Sequence, residues 1–200
     1  MKINIPSKYK KIWERAEPLL KKCRPGDLTH AKQTAELVYN FIKTHKKGDI
    51  DVLIPVAIFH DIGHAAILPE HFEKVSGLKK LPNSKLVHML TGAKIAKEIL
   101  TKIKYPKSKT KEIIEIISIH DMEEPKWFDT ENKKIFRDLD HLDRFSKKRF
   151  KTILNLTGWT PKQLIEYLKK KEIPFFFNQE IKKIAEEMLK EREKEYKLLS

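Results

Sequence analysis

From Val52 to Phe59 the chain carries only apolar side chains, and the run closes on His60-Asp61-Ile62-Gly63-His64. Such a stretch constrains the fold strongly, because it needs cover along its length and presents polar chemistry at one end. Asp49 or Asp51 can cap it as a helix extending to Ile62. Pro55 is compatible with that helix because it falls in the first turn, where its missing N–H would lack a partner in any case. A strand over Leu53–Phe59 competes with this reading. No neighbouring segment alternates with period two, so the strand would have no sheet to join.

The other segments also read as helices. Pro6-Ser7 precedes one through Tyr9, Ile12, Trp13, Ala16 and Leu19, ending before Pro25-Gly26. Asp27 or Thr29 can cap the next, with Ala31, Ala35, Val38 and Ile42 at three-to-four-residue spacing and Lys46-Lys47-Gly48 as its stop. Gly63 to Lys85 has no clear period and reads as a lid or a wall of a site. Ser84 opens a helix through Leu86, Leu90, Ala93, Ala96 and Leu100, and Pro106 with Ser108 opens another ending at His120. Thr130 or Asn132 leads a helix running towards Phe145 and Phe150. Thr160-Pro161 starts one over Gln163–Lys171, and Asn178 caps the last, Glu180–Leu199. The expected fold is all-α in a single domain, residues 1–200.

Composition excludes several classes. With 40% apolar and 35% charged residues the chain has the balance of a folded domain rather than a disordered one. No stretch approaches the roughly 18 consecutive apolar residues of a membrane span, so no membrane partner is expected. Met1-Lys2-Ile3-Asn4-Ile5-Pro6 lacks the apolar core of a secretory signal. One cysteine, Cys23, allows no internal disulfide, and a reducing cytoplasm suits the chain. The net charge of +14 attracts phosphate, but the lysines run from Lys2 to Lys197 without forming a block. That spread favours a solvated surface able to help bind a phosphorylated small molecule, with nucleic acid the less favoured partner.

The polar residues that interrupt the apolar faces carry the chemistry. His30, His60, His88 and His120 recur at intervals of about thirty residues, and Asp140 follows twenty after the last. About fifteen residues of helix, a turn and a returning helix fill such an interval, so ligands spaced this way come from different helices and can converge on a bundle axis. Imidazole and carboxylate together accept several divalent metals. Asp61 sits where the negative end of a helix dipole disfavours a carboxylate, a misfit that a cation relieves. Gly92, one turn after His88, marks the close approach of something bulky. Asp143 lies one turn after Asp140, with Arg144 beside it to relieve the repulsion. His71, in the irregular segment, is placed to reach a substrate. Phe175-Phe176-Phe177 after Pro174 reads as packing for the last helix or as a partner surface.

The order His30, His60-Asp61, Asp140 resembles the HD-domain superfamily of metal-dependent phosphohydrolases. Ala57-Ile58-Phe59-His60-Asp61-Ile62-Gly63-His64 is similar to the central motif of that family, and Asp140-His141-Leu142-Asp143 to its last element. The resemblance covers about residues 28–145, leaving helices over 146–200 to pack onto that core. It implies a helical bundle with a metal site at its centre. His30, His60 and Asp140 would hold one ion, His88 and His120 a second, and Asp61 would bridge them, the ions being drawn from Fe, Mn, Mg, Zn or Ni. His64 stands where the cyclic-dinucleotide branch has lysine, and the Gly-Tyr-Pro signature of that branch is absent, which argues against cleavage of cyclic di-GMP.

The function so implied is hydrolysis of a phosphate ester or anhydride, on a nucleotide or other small phosphorylated metabolite, by metal-bound hydroxide. Asp61 and His64 would be the catalytic residues, with His64, Lys94 and Arg144 binding substrate phosphate. Two alternatives remain open at this point, a di-iron oxygenase of the same fold and a non-catalytic nucleic-acid-binding module. Nothing in the sequence specifies an oligomeric state.

Overall fold

The computed structural model describes residues 3–67 and 82–197. Among these residues the chain forms nine α-helices and no strand, so the all-α expectation holds. The helices are α1 (Lys10–Leu20), α2 (Asp27–His45), α3 (Ile50–Phe59), α4 (Pro82–Lys102), α5 (Lys107–Ile119), α6 (Glu131–Leu142), α7 (Lys147–Thr157), α8 (Pro161–Lys171) and α9 (Gln179–Glu195). None of the described helices is long and apolar enough to cross a membrane. His71 and most of the segment read as a lid lie outside the described residues. The chain divides into two compact units, Met1–Phe136 and Arg137–Ser200, and the division falls inside α6.

In the first unit α3 is the central element. Every residue from Val52 to Phe59 is buried, and α3 packs against α1, α2, α4 and α5. A buried aliphatic or aromatic side chain is worth about 1.5–3 kcal/mol, so this helix has ample apolar stabilisation to carry a polar cluster at its C-terminal end. Asp49 caps it by accepting the Asp51 N–H at 2.9 Å. The helix stops at Phe59, three residues before the Ile62 expected from sequence, and Ile62–Ala66 tightens into a 3-10 turn.

Two glycines explain that tightening. A Cβ on Gly63 would lie 1.9 Å from the His88 carbonyl oxygen and 2.7 Å from the Gly92 nitrogen. One on Gly92 would lie 3.3 Å from the Gly63 nitrogen and 3.4 Å from the His60 carbonyl oxygen. The group expected to approach Gly92 is therefore backbone. Two bare glycines let α4 run directly over the turn that follows His60-Asp61.

Two other local readings are corrected. Asp27 does not cap α2; it is the first helical residue, and the N-cap is Gly26, at φ 101°, a left-handed conformation that glycine adopts readily. The helix expected to run from about 130 towards Phe150 breaks after Leu142. Ser146 restarts the chain by accepting the Arg149 N–H at 3.2 Å, which opens α7.

In the second unit the expected starts of α8 and α9 are present. Thr160 and Gln163 form a reciprocal capping box, and Asn178 accepts the N–H groups of Glu180 and Ile181. The phenylalanine triplet splits its roles, with Phe176 buried and Phe175 about half exposed. A polar network joins this unit internally. Glu172, buried, accepts Arg144 Nη1 at 2.5 Å and pairs with His141 Nδ1 at 2.7 Å, while Arg137 Nη1 donates to the Phe175 carbonyl at 2.7 Å.

Candidate metal centre

Four imidazoles ring the carboxylate of Asp61 in the first unit. His60 comes from the C-terminal end of α3, His64 from the 3-10 turn, His88 from α4 and His120 from the end of α5. His30, in the first turns of α2, has its ring centroid 5.0 Å from that of His60. All six residues are buried, with His64 and His88 at 0% exposure. Sequence reasoning placed His30, His60, Asp61, His88 and His120 in one metal set, and the first unit brings these five together.

Backbone contacts set which ring nitrogen is available. His60 Nδ1 lies 3.0 Å from the Ala57 carbonyl, His64 Nδ1 3.0 Å from the Asp61 carbonyl and His120 Nδ1 2.8 Å from the Ile117 carbonyl. A carbonyl can only accept, so in each ring Nδ1 carries a proton and Nε2 is the nitrogen that can act as a donor to a metal. The carbonyl that settles each ring in the core thus also orients it as a potential metal donor.

The two oxygens of Asp61 face different histidines. Oδ2 is 3.6 Å from His60 Nε2, whereas Oδ1 is 3.7 Å from both His88 Nε2 and His120 Nε2. These separations exceed hydrogen-bond length, and they suit two donors each about 2.0–2.2 Å from a common ion. Two donor groups capable of holding an ion follow, His30 with His60 and Asp61, and Asp61 with His88 and His120. The residues present thus fit divalent metal, with Asp61 common to both donor groups.

A third group, Asp27 with Asp61 and His64, is also close enough to surround a cation. There the guanidinium of Arg24 already supplies positive charge, donating to Asp27 through Nε at 3.0 Å and Nη2 at 3.1 Å, and to Asp61 Oδ2 at 3.3 Å. Burial would push the Asp61 carboxyl up, but His60, His120, Arg24 and His64 outweigh it and hold the group well below the usual carboxylate range. Asp27 shifts the other way, raised by burial and by the Asp61 charge against the pull of Arg24. Burial, with Asp27 and Asp61 nearby, pushes the Cys23 thiol up to about 12, which favours its protonated form.

The remaining candidates are placed as follows. His64 stacks on His88 with ring centroids 4.4 Å apart, and its Nδ1 lies 3.6 Å from Asp61 Oδ1 and 3.7 Å from Asp27 Oδ2. Lys94 is exposed on α4, six residues after His88 and so about 120° around the helix from it. Arg144 lies in the second unit, paired with Glu172; Asp140 belongs to the same unit and is partly exposed.

Sequence reasoning missed Arg24, Asp27 as more than a cap, Gly63, and Phe136, whose ring stands edge-on to His60 at 5.5 Å and closes one side of the cluster. Asp27 three residues before His30 was a usable signal, since an acid and a histidine so spaced share a helical face.

A family model described as HD domain matches residues 27–148, more than half of the chain. No curated protein and no solved structure matches the sequence.

Proposed function

The chain belongs to the HD-domain family, a superfamily of metal-dependent hydrolases, and from that premise we propose that it hydrolyses a phosphate ester or anhydride in a nucleotide or other small phosphorylated metabolite. The observation that carries this reading is the division of the Asp61 oxygens, one towards His60 and the other towards His88 and His120. A carboxylate shared in this way suits two neighbouring ions, the arrangement that clamps both the attacking and the leaving oxygen of a displacement at phosphorus.

In this proposal His30, His60 and Asp61 would form one donor set and Asp61, His88 and His120 the other, while Asp140, the further ligand expected from sequence, belongs to the second unit. Bound divalent ions would supply Lewis acidity and lower the pKa of a bound water towards about 7. The protein contributes rings locked by backbone carbonyls and an apolar shell that includes Phe136. With Nδ1 turned to the Asp61 carbonyl, His64 would donate to phosphate through Nε2 once that nitrogen is protonated, and its stack on His88 fixes the plane of the ring. Lys94, exposed, attracts the anionic substrate at longer range. Arg144, anchored by Glu172, is the remaining candidate for contact with phosphate.

The test is elemental analysis of protein purified without chelator, followed by phosphate release from a panel of nucleotides and sugar phosphates with Mn2+ or Mg2+. Two ions per chain and phosphate release are expected. Oxygen consumption by an iron-loaded protein that releases no phosphate would replace the hydrolase with an oxygenase using the same donors. Failure to take up any metal after reconstitution would remove both.

A further inference from the structure

Arg24 lies in the link between α1 and α2, three residues before the family match begins, and nothing in the established relationship assigns it a role. Resting on the two-ion reading above, we propose that Arg24 is the positioning residue of the metal centre. It holds the Asp61 carboxylate in the rotation that presents one oxygen to each set of histidines.

The geometry begins with the backbone. The Asp27 N–H donates to the Arg24 carbonyl at 3.1 Å, and the Arg24 N–H donates to Asp27 Oδ2 at 3.1 Å, closing a tight loop with Gly26 at its turn. The guanidinium then lies as a fork on the same carboxylate, through Nε at 3.0 Å and Nη2 at 3.1 Å. A fork made twice to one carboxylate has a fixed plane. From that plane Nη2 also reaches Asp61 Oδ2 at 3.3 Å. The Arg24 side chain is only 11% exposed, so the contact is little screened by water.

The consequence for Asp61 is rotational. The terminal torsion of an aspartate is broad, and with imidazoles on both sides either oxygen could turn to either set. A donor fixed on Oδ2 removes that freedom. Oδ2 retains a lone pair for an ion shared with His60, and Oδ1 is left to His88 and His120. The same guanidinium supplies the cation of the third donor group, Asp27 with Asp61 and His64, so the ions are directed to the two histidine sets.

A simpler role would be to neutralise buried Asp27, and a double substitution separates the two. The full-length protein is stripped with chelator, and Mn2+ binding is measured calorimetrically for the wild type, Arg24→Met, and Arg24→Met with Asp27→Asn. The melting temperature of each metal-free protein is recorded alongside. Positioning predicts that Arg24→Met weakens Mn2+ binding by about ten- to a hundredfold, the range for groups that orient ligands. In the double variant the melting temperature should recover, because no unpaired carboxylate remains at position 27, while Mn2+ binding stays weak. Should Arg24→Met not fold, the double variant still supplies the affinity. Wild-type affinity in the double variant would reduce Arg24 to a counter-charge for Asp27 and overturn the proposal. Unchanged affinity in Arg24→Met would do the same while leaving the two-ion reading intact. A wild type that takes up no Mn2+ would remove that reading and this one together.

Discussion

Asp61 in the first unit and Glu172 in the second are buried to similar degree, at 7% and 3% exposure, and both are held below the usual carboxylate range. They differ in how closely their neighbours approach. Glu172 has Arg144 at 2.5 Å and His141 at 2.7 Å, so each oxygen is in direct contact with a donor. Around Asp61 the imidazole nitrogens of His60, His64, His88 and His120 stand off at 3.6–3.7 Å, while Arg24 Nη2 comes nearer, at 3.3 Å. A buried carboxylate must be compensated by contact or by a cation. Glu172 is compensated by contact and serves the fold. Asp61 is set among donors spaced for ions, as the proposed chemistry requires.

The largest effects should separate these roles cleanly. Asp61→Ala is expected to lose bound metal and to lower phosphate release by at least about a thousandfold, with helical circular dichroism retained. Retained activity would end the hydrolase proposal and the contrast with Glu172. Glu172→Gln is expected to do the reverse. Its carboxyl is lowered from 4.5 to about 2, burial being outweighed by Arg144 and then His141, which corresponds to about 3 kcal/mol. Urea unfolding should show a loss of that order with metal content unchanged. A fall in metal content with little change in stability would make Glu172 part of the site.

The acid limb of stability sharpens the comparison. A carboxyl lowered in the fold contributes stability that is complete above its unfolded value and is lost as pH falls through the folded one. For Glu172 that window runs from about 4.5 down to about 2. His141 is lowered by burial and by Arg144, against the pull of Glu172, so the unfolded chain takes up protons first and stability also falls with acid below the ordinary histidine range. Asp138, raised to about 6 by burial, has the opposite sign, gaining stability as pH drops through 6. Its gain is complete near the unfolded value of 3.8, which leaves much of the Glu172 loss unopposed. Denaturant midpoints measured from pH 5 to 2.5 should therefore fall in the wild type and flatten in Glu172→Gln. Equal slopes would show that another group carries the acid sensitivity.

The two units were also unequally legible from sequence, for physical reasons. Helix starts at Asp49, Thr160 and Asn178 are local, since a side chain caps N–H groups two or three residues away, and reading along the chain finds them. The histidines stood out because each breaks an apolar face. Ser146 was overlooked because apolar positions from Leu139 to Phe150 continue a helical period across the break. Arg24 could not be read, because its contact with Asp61 spans 37 positions. Gly63 was equally silent, since its need for a bare Cα arises only when α4 crosses the turn. Phe136 looks like any core aromatic until the rings of His60 and His120 are placed beside it.

The smallest expected effect concerns Lys94, which tests how far the first unit's chemistry extends along α4. Its ammonium is exposed and lies about 120° around the helix from His88, so direct contact with phosphate at the cluster is disfavoured. What remains is long-range attraction, which salt screens over about 10 Å at 0.1 M. Lys94→Ala should therefore raise KM for a phosphorylated substrate by about two- to threefold at low ionic strength, leave kcat unchanged, and lose its effect near physiological salt. An increase of tenfold or more that persists in salt would mean that the substrate lies along the outer face of α4, in contact with Lys94, and the position of the phosphate relative to His64 would have to be redrawn.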